Sequence, residues 1–317
     1  MSHGSKAKSF LHEQTRLAGR KRNLLIRARM IQSIRAFFVG REYLEIETPQ
    51  LISAPAPEIH IETIRAGNRY LQPSPELCMK RLLAYGFPKI FQISKCFRKG
   101  ERGDRHLPEF SLLEWYRTGI DYMALMDECE TLILFLSERL NRGETIKYQG
   151  MEIDLKSPWE RLQVKAAFDQ YATTSLENAL KTGCFDEVMV EEIEPNLGVI
   201  RPTFLYDYPA SLASLSRFKP DNDMVAERFE IYLAGMELAN GFSELNDPEE
   251  QRSRFEKELK RRDAQGKETY PMPERFLRSL EYMPEAAGIA LGVDRLAMVF
   301  SNVPEIDQVV SFTPEEV

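Results

Sequence analysis

Four cysteines and four histidines are scattered through 317 residues, and that scarcity removes several possibilities at once. Cys78, Cys96, Cys129 and Cys184 form no close C-x-x-C pair, so neither a disulfide framework nor a thiolate metal site is supported, and all four read as reduced core residues. His3, His12, His60 and His106 also lack paired metal spacing, and only His106 sits among residues that carry chemistry. No run approaches ~18 consecutive apolar residues. The opening MSHGSKAKSF has basic residues with no apolar stretch behind them, so no membrane span or signal peptide is expected and the cytoplasm is the expected location. Positive charge is in deficit as well: 42 Lys and Arg stand against 49 Asp and Glu, a net −7 that argues against a broad phosphate-binding surface. The one basic run, Lys6 through RLAGRKRNLLIRAR, reads as a solvated helix start. No repeat or low-complexity linker divides the chain, so residues 1–317 are expected to form one domain, with a short extension over about residues 1–20.

What is present is 43% hydrophobic residue content, enough for a large core, arranged in periodic segments. Leu24, Leu25, Ala28, Ile31, Ile34 and Phe38 recur at helical spacing before Gly40, which predicts a helix over residues 21–38. YLEIETPQL alternates like a strand up to Pro49, and after the Pro-rich LISAPAPEIH a second strand is predicted over residues 59–65. In LQPSPELCMKRLLAYGF, Ser74 is placed to cap a helix, Pro75 to open it and Glu76 to fill its first turn. KIFQISKCFR and FSLLEWYR read as strands joined by KGERGDRHLPE, a polar loop too long for a simple hairpin. Helices are predicted over residues 122–140 and 164–182, with the hairpin-like MEIDLKSP between them. RFEIYLAGMELANGFSEL reads as two strands around a glycine turn. Residues 248–264 read as a solvated helix, with favourable pairs Glu250–Arg254, Glu256–Lys260 and Glu258–Arg262. AAGIALGVDRLAMVF is a glycine-broken strand running into a helix, where backbone can approach a ligand.

The stretch ELANGFSELND poses the chemical question, because Glu237, Glu244 and Asp247 stand among small and apolar residues where a carboxylate is costly without a cation. Side chains two apart share a strand face, so Glu114 and Tyr116 point one way while Leu113 and Trp115 point the other, and Glu230 shares its face with Tyr232. A face that gathers Glu76, Arg98, Glu114, Glu230, Glu237 and Glu244 is not a plain hydrophobic core. Arg98 with Lys99, Arg102, Arg105 and His106 before Phe110 suits phosphates and a flat base, and a divalent metal with phosphate would explain Glu230 and Glu237. Salt bridges across two hairpins would account for the same residues.

At this point the chain resembles a family. RARMIQSIRAFFVGREYLEIETPQL, FRKGERGDRHLPEFSLLEWY and GIALGVDRLAMVF look like motifs 1, 2 and 3 of the class II aminoacyl-tRNA synthetases. SPELCMKRL, EFSLLEWY and RFEIYLAGMELANGFSELND place the likeness closest to the lysyl branch. Only about twenty residues precede the first motif, where lysyl enzymes carry an anticodon-binding barrel. In extent the chain is therefore similar to the stand-alone ligases of that branch that modify elongation factor P. The resemblance implies an α+β fold with an antiparallel sheet flanked by helices, and a homodimer formed through motif 1. It also implies activation of (R)-β-lysine, lysine less well, with ATP and Mg²⁺, and transfer to a lysine side chain of elongation factor P rather than to tRNA. The alternatives are a truncated lysyl-type enzyme charging tRNA or a carrier protein, and an inactive regulatory paralogue.

Carried over by position, the resemblance implies that Arg98 bridges the substrate carboxylate and the α-phosphate and that Phe110 stacks on adenine. His106 and Arg295 would reach phosphates, and Lys99, Gly100, Leu107, Leu238 and Gly292 would complete the nucleotide site. Glu230 and Glu237 would hold Mg²⁺, with Arg98, Arg295 and Glu237 catalytic. For the amino acid it implies Ser74, Pro75 and Glu76 near the amine on the carboxylate side, Asn240 at the carboxylate, Glu114, Tyr116 and Glu244 at the distal ammonium, and Phe242 against the methylenes. On this reading the missing cations are Mg²⁺ and a di-ammonium substrate. Three positions depart from the pattern: Gly100 where motif 2 has an acid, with Glu101 one later; Leu107 where Asn is usual; and Ala290 where the lysyl branch has Gly, a change that would shift substrate shape preference. The first half-reaction needs no side-chain base, since a carboxylate attacks phosphorus directly. The group that takes the proton from the acceptor amine is not legible in the sequence.

Overall fold

Alternation along the strands decides which face of the sheet carries chemistry. In the computed structural model, residues 3–317 are described, with side chains from residue 15 onward; the side chains of His3, Lys6 and His12 lie outside the described residues. The large sheet is built from β1 (Leu44–Glu45), β2 (Lys89–Phe97), β3 (Glu109–Thr118), β4 (Glu160–Gln163), β5 (Thr203–Pro209), β6 (Asn222–Leu233), β7 (Met236–Ser243) and β8 (Ala286–Gly292). Their spatial order is β1-β2-β3-β8-β7-β6-β5-β4, and a short strand, Phe218–Lys219, also pairs with β6. The six central strands are antiparallel as expected, whereas β1 pairs with β2 and β4 with β5 in parallel. The parallel pairs arise because both connections cross over through helical segments instead of closing a hairpin.

One face of this sheet is closed by α1 (His3–Val39), α3 (Tyr122–Arg139) and α5 (Val293–Ser301). Leu113 and Trp115 of β3 point into that core with Met30, Phe38, Leu132 and Phe300, all essentially buried. The opposite face is approached by α2 (Glu76–Ala84) and α4 (Pro248–Ala264). The basic run on α1 is solvated only in part: Lys21, Arg22 and Arg29 are exposed as expected, but other members are paired. Arg20 Nη1 lies 2.8 Å from Glu316 Oε2, and Arg27 Nη2 lies 2.7 Å from Asp294 Oδ1, so α1 is tied to the C-terminal segment and to α5.

Four further expectations are corrected. YLEIETPQL is strand only at Leu44–Glu45 and Leu51–Ile52. Residues 59–65 are strand only from Arg65, because the carbonyls of Ile59 and Ile61 accept from Lys267 Nζ at 2.7 Å and Arg262 Nη1 at 3.0 Å instead of a neighbouring strand. Residues 164–182 form two helices, Val164–Tyr171 and Leu176–Thr182, because Ser175 Oγ caps the second by accepting from Asn178 N at 3.2 Å. Finally, α4 is not simply solvated. Glu250 and Arg254 pair at 2.8 Å as expected, but Arg262 is fully buried and turned inward, and Glu258 bonds Arg261 and the Ile59 amide. A charged side chain reads as exposed in a sequence unless its buried partners are visible, and three of Arg262's partners, Glu58, Ile61 and Glu62, lie about two hundred residues away.

Candidate active site

Two registered rows of side chains make the floor of a cavity. Across β6, β7, β8 and β3, Glu230 pairs with Asn240, Asn240 with Ala290, and Ala290 with Glu114. Two residues along each strand, Arg228 pairs with Phe242, Phe242 with Gly288, and Gly288 with Tyr116. Because the rows are offset by two on every strand, all eight positions share one face. Gly288 is required there. A Cβ at that position would stand 2.1 Å from Tyr116 Cδ1 and 2.5 Å from Glu244 Oε1, so glycine lets the phenol and the carboxylate close over the sheet.

The cavity above these rows has a volume of about 290 Å³. One half is walled by the long β2–β3 loop and the start of α5, and brings together Arg98, His106, Leu107, Phe110, Glu237, Leu238, Gly292 and Arg295. The other half gathers Ser74, Glu76, Glu114, Tyr116, Asn240, Phe242 and Ala290. Glu230 and Glu244 lie buried immediately behind the lining. Pro75, Lys99 and Gly100 fall outside it. Pro75 sits one position before the helix while Ser74 Oγ accepts from the Glu76 amide at 3.0 Å, and Lys99 donates its amide to Glu62 O at 2.7 Å.

In the first half the cations are loosely held. Arg98 Nη1 is 3.7 Å from Glu101 Oε1, so the acid displaced by one position from Gly100 still meets the arginine. The Arg98 guanidinium also lies over the Phe110 ring, 5.0 Å from its centroid. Arg295 Nη1 donates to Glu237 O at 2.8 Å and lies 3.3 Å from Glu237 Oε2, while its Nη2 meets His106 Nε2. Burial, and then the Arg295 cation, push His106 below its ordinary range.

The second half is a cluster of buried carboxylates. Glu114 accepts from Ser74 Oγ at 2.6 Å and Tyr116 Oη at 2.7 Å. The carboxylates of Glu76 and Glu244 meet on one ammonium, Lys80 Nζ, which lies 2.5 Å from Glu76 Oε1 and in ionic contact with Glu244. Neither Glu244 oxygen accepts a hydrogen bond of ordinary geometry. Burial, followed by the neighbouring Glu76, pushes Glu114 up to about 8. Burial pushes Glu244 up to about 8, with Lys80 acting against it. For Lys80 itself burial acts downward, but Glu244 and Glu76 outweigh it and raise its pKa.

The sequence question about the cation therefore has an internal answer that the sequence reading missed. Lys80 meets Glu244, and Arg228 Nη2 meets Glu230 Oε1 at 2.6 Å, where Mg²⁺ and a di-ammonium substrate were expected alone. Local spacing signalled the neighbours Lys80–Glu76, four apart on a helix, and Arg228–Glu230, two apart on a strand, but not the pairing of Lys80 with Glu244. Neither cation balances its cluster. Lys80 meets Glu76 and Glu244 but not Glu114, and the pKa of Glu230 is raised by burial and then by Glu237 despite Arg228. Glu194, also missed, is raised by burial and then by Glu230 and Glu237. Among the described residues no group of three or more His, Cys, Asp or Glu side chains is placed to hold a metal ion alone. The pair of Glu237 on the cavity wall and Glu230 behind it fits an ion that takes its remaining ligands from phosphate and water.

A sheet of this topology with arginines and an aromatic ring at one end of its pocket and buried acids at the other matches a known family. The pattern of the tRNA synthetases class II (D, K and N) matches residues 8–316, and the chain belongs to that family. It is 40% identical over 307 residues to an elongation factor P--(R)-beta-lysine ligase of Proteus mirabilis, covering 92% of this chain and 94% of the relative. A ligase of the same name from Vibrio cholerae is 39% identical over 304 residues, covering 90% and 93%. A lysine--tRNA ligase of Magnetococcus marinus is 36% identical over 314 residues, and the match takes in 90% of this chain but 62% of that relative, less than two thirds of its length. Among the described residues no helix is long and apolar enough to cross a membrane.

Proposed function

We propose that this chain activates a di-ammonium amino acid, (R)-β-lysine in preference to lysine, as an aminoacyl-adenylate with ATP, and transfers it to a lysine side chain of elongation factor P. The carrying observation is the crowding of buried carboxyl groups around too little positive charge. Glu76 and Glu244 meet on the single ammonium of Lys80, Glu114 beside them is held only by Ser74 and Tyr116, and burial raises Glu114 and Glu244 to about 8, so a ligand that brings ammonium groups displaces their protons and pairs with them. The relatives named above that match over nearly their whole length support the acceptor.

In the first step the substrate carboxylate attacks the α-phosphorus in line while Arg98 holds both reacting groups and Arg295 and His106 hold the departing phosphates. Phe110 offers adenine its face, and Asn240 orients the carboxylate. Glu237 and Glu230 would hold Mg²⁺, which when bound supplies charge neutralisation at the phosphates. In the second step an amine of the acceptor attacks the mixed anhydride and AMP leaves. We place the chain in the cytoplasm as a single catalytic domain acting as a homodimer. The second copy is supported by Leu25, Val39, Leu44 and Leu51, which are 53, 60, 50 and 40% exposed on α1 and the segment after it.

Amino-acid-dependent exchange between ATP and pyrophosphate tests the first step, and label transfer to purified elongation factor P against tRNA tests the second. Exchange with β-lysine and product on the protein are expected. Product on tRNA alone would transfer the assignment to the activity named for the lysine--tRNA ligases.

A further inference from the structure

Glu58 lies on the wall between the active-site cavity and a second cavity of about 530 Å³ on the other side of the Ser74–Glu76 segment. Three side chains line both cavities: Glu58, Ser74 and Glu76. Ser74 is engaged by Glu114, and Glu76 by Lys80. The carboxylate of Glu58 makes no hydrogen bond or ion pair in the described structure, and the charged groups that face it are Glu76, Arg98, Arg228 and Glu258.

Each of the other groups on the cavity wall that could take a proton has a partner when no ligand is bound, although the arginines on Glu101 and Glu237 turn to phosphate in the proposed reaction. Glu114 accepts from Ser74 and Tyr116, Glu101 pairs with Arg98, and Glu237 with Arg295. Asp294 is held by Arg27 and accepts from the Ser111 amide at 2.6 Å. His106 is bonded to Arg295, whose charge disfavours the imidazolium that a base must become.

The backbone under Glu58 is held with unusual firmness for a loop. Fully buried Arg262 donates to Glu58 O at 2.7 Å, to Ile61 O at 3.0 Å and to Glu62 Oε1 at 3.1 Å. The Ile59 amide donates to Glu258 Oε2 at 3.0 Å. Burying an arginine is costly unless its donors are met; Nε donates to Glu268 O and Nη2 also meets Tyr270 Oη, while the bonds to Glu58, Ile61 and Glu62 tie down the loop that carries the unpartnered carboxylate.

Resting on the synthetase-type reaction proposed above, we propose that Glu58 is the proton acceptor of the transfer step and that Arg262 is the positioning residue that presents it. Arg98 holds the carbonyl and α-phosphate of the adenylate, so a carboxylate facing Arg98 is beside the bond that must be made. Glu58 takes a proton from the acceptor ammonium and leaves a neutral amine. The amine lone pair forms the new N–C bond, the C–O bond to the α-phosphate breaks with its electron pair passing to AMP, and the second N–H proton leaves with the phosphate. Burial, then Glu76, holds Glu58 near 7, where a carboxylate can both accept and release a proton.

Single-turnover transfer from preformed adenylate, using the full chain and purified elongation factor P, tests this in E58Q across pH 5.5 to 9. The expected result is a loss of about 10²–10⁴-fold in transfer with loss of less than about tenfold in exchange, and disappearance of the ionisation near neutrality from the transfer profile. R262K, which keeps the charge but not the fork, is expected to lower transfer while retaining that ionisation. E58Q transferring within about threefold of the unaltered chain, with the same pH profile, overturns the assignment while the proposed reaction stands. Failure of the unaltered chain to exchange with lysine or either β-lysine overturns both together.

Discussion

The two halves of the cavity carry opposite charges and hold them by opposite means. The half proposed for the nucleotide presents arginines that are partly open to solvent and held at 3.3 to 3.7 Å by carboxylates themselves about a third exposed. Such pairs are worth little, so Arg98 and Arg295 can turn from Glu101 and Glu237 to a phosphate at small cost. The half proposed for the amino acid presents Glu114 and Glu244 with almost no exposure and Glu76 at 14%, and its internal cation, Lys80, is 1% exposed. Charge there cannot be rearranged cheaply, because each group removed leaves another buried without a partner. Affinity for the nucleotide should therefore tolerate change, whereas the amino-acid half should couple binding, stability and pH.

The largest break in that asymmetry is Lys80→Met. It leaves Glu76 and Glu244 facing each other in a dry site, and a loss of ~3–5 kcal/mol in unfolding free energy is expected. The deficit should shrink as pH falls from about 8 toward 5, because Glu244 then protonates and no longer needs the cation. Denaturant unfolding of the variant at three pH values is the check, and a deficit independent of pH would show that Lys80 acts by packing under Phe242. On the other side of the cavity, Arg98→Lys keeps the charge but loses the planar fork. Adenylate formation should fall ~10²–10³-fold with little change in melting temperature, since the arginine is one-quarter exposed and weakly paired.

How far the sequence disclosed these halves follows from the range of the interactions that build them. Period-two alternation was sufficient to place Glu114 and Tyr116 opposite Leu113 and Trp115, and it located the sheet face that carries the site. The central strands, the helix after Ser74 and the strand-to-helix passage at Gly292 were also legible, because local spacing determines them. The tRNA synthetase class was legible from three ordered motifs. What stayed hidden was pairing between distant segments: Lys80 with Glu244, Arg262 with the Glu58–Glu62 loop, and Arg16 and Arg20 with Glu316. A buried ion pair leaves two charged letters far apart in the chain, and each alone resembles a surface residue. The same blindness made residues 59–65 look like a strand, since β-branched residues there satisfy their backbone on Arg262 and Lys267.

Titration sharpens the comparison next. Glu114 and Glu244 have folded-state pKa values near 8, above the ordinary carboxylate value, so the folded protein binds more protons than the unfolded chain between about pH 4.5 and 8. Their contribution to stability is complete below about 4.5 and is lost as pH rises through 8. The melting temperature of the protein without substrate should accordingly decline across that interval, and Glu114→Gln should flatten the decline. Binding of a di-ammonium amino acid near pH 7 should expel protons, measurable by calorimetry in buffers of different ionisation enthalpy. Proton uptake on binding would place the ammonium elsewhere.

The smallest expected effect bears on which amino acid is preferred. Ala290 stands in the floor row between Asn240, proposed to meet the carboxylate, and Glu114, proposed to meet the distal ammonium. On that proposed binding mode its methyl group lies under the middle of the substrate. Moving the first amine from the α- to the β-carbon lengthens the path from carboxylate to amine by one carbon and changes how the chain crosses that methyl. Ala290→Gly lowers the floor by one methyl group, and a change of that size in an apolar pocket is worth ~1–3 kcal/mol. A single methyl group set against one substrate carbon puts the expected effect at the lower end of that range. The ratio of kcat/KM for β-lysine over lysine in pyrophosphate exchange should fall about tenfold, with the KM for ATP unchanged. A ratio unaffected by the substitution would mean that Ala290 only fills the strand, and that the choice between the two amines is made at Ser74 and Glu76 on the opposite wall.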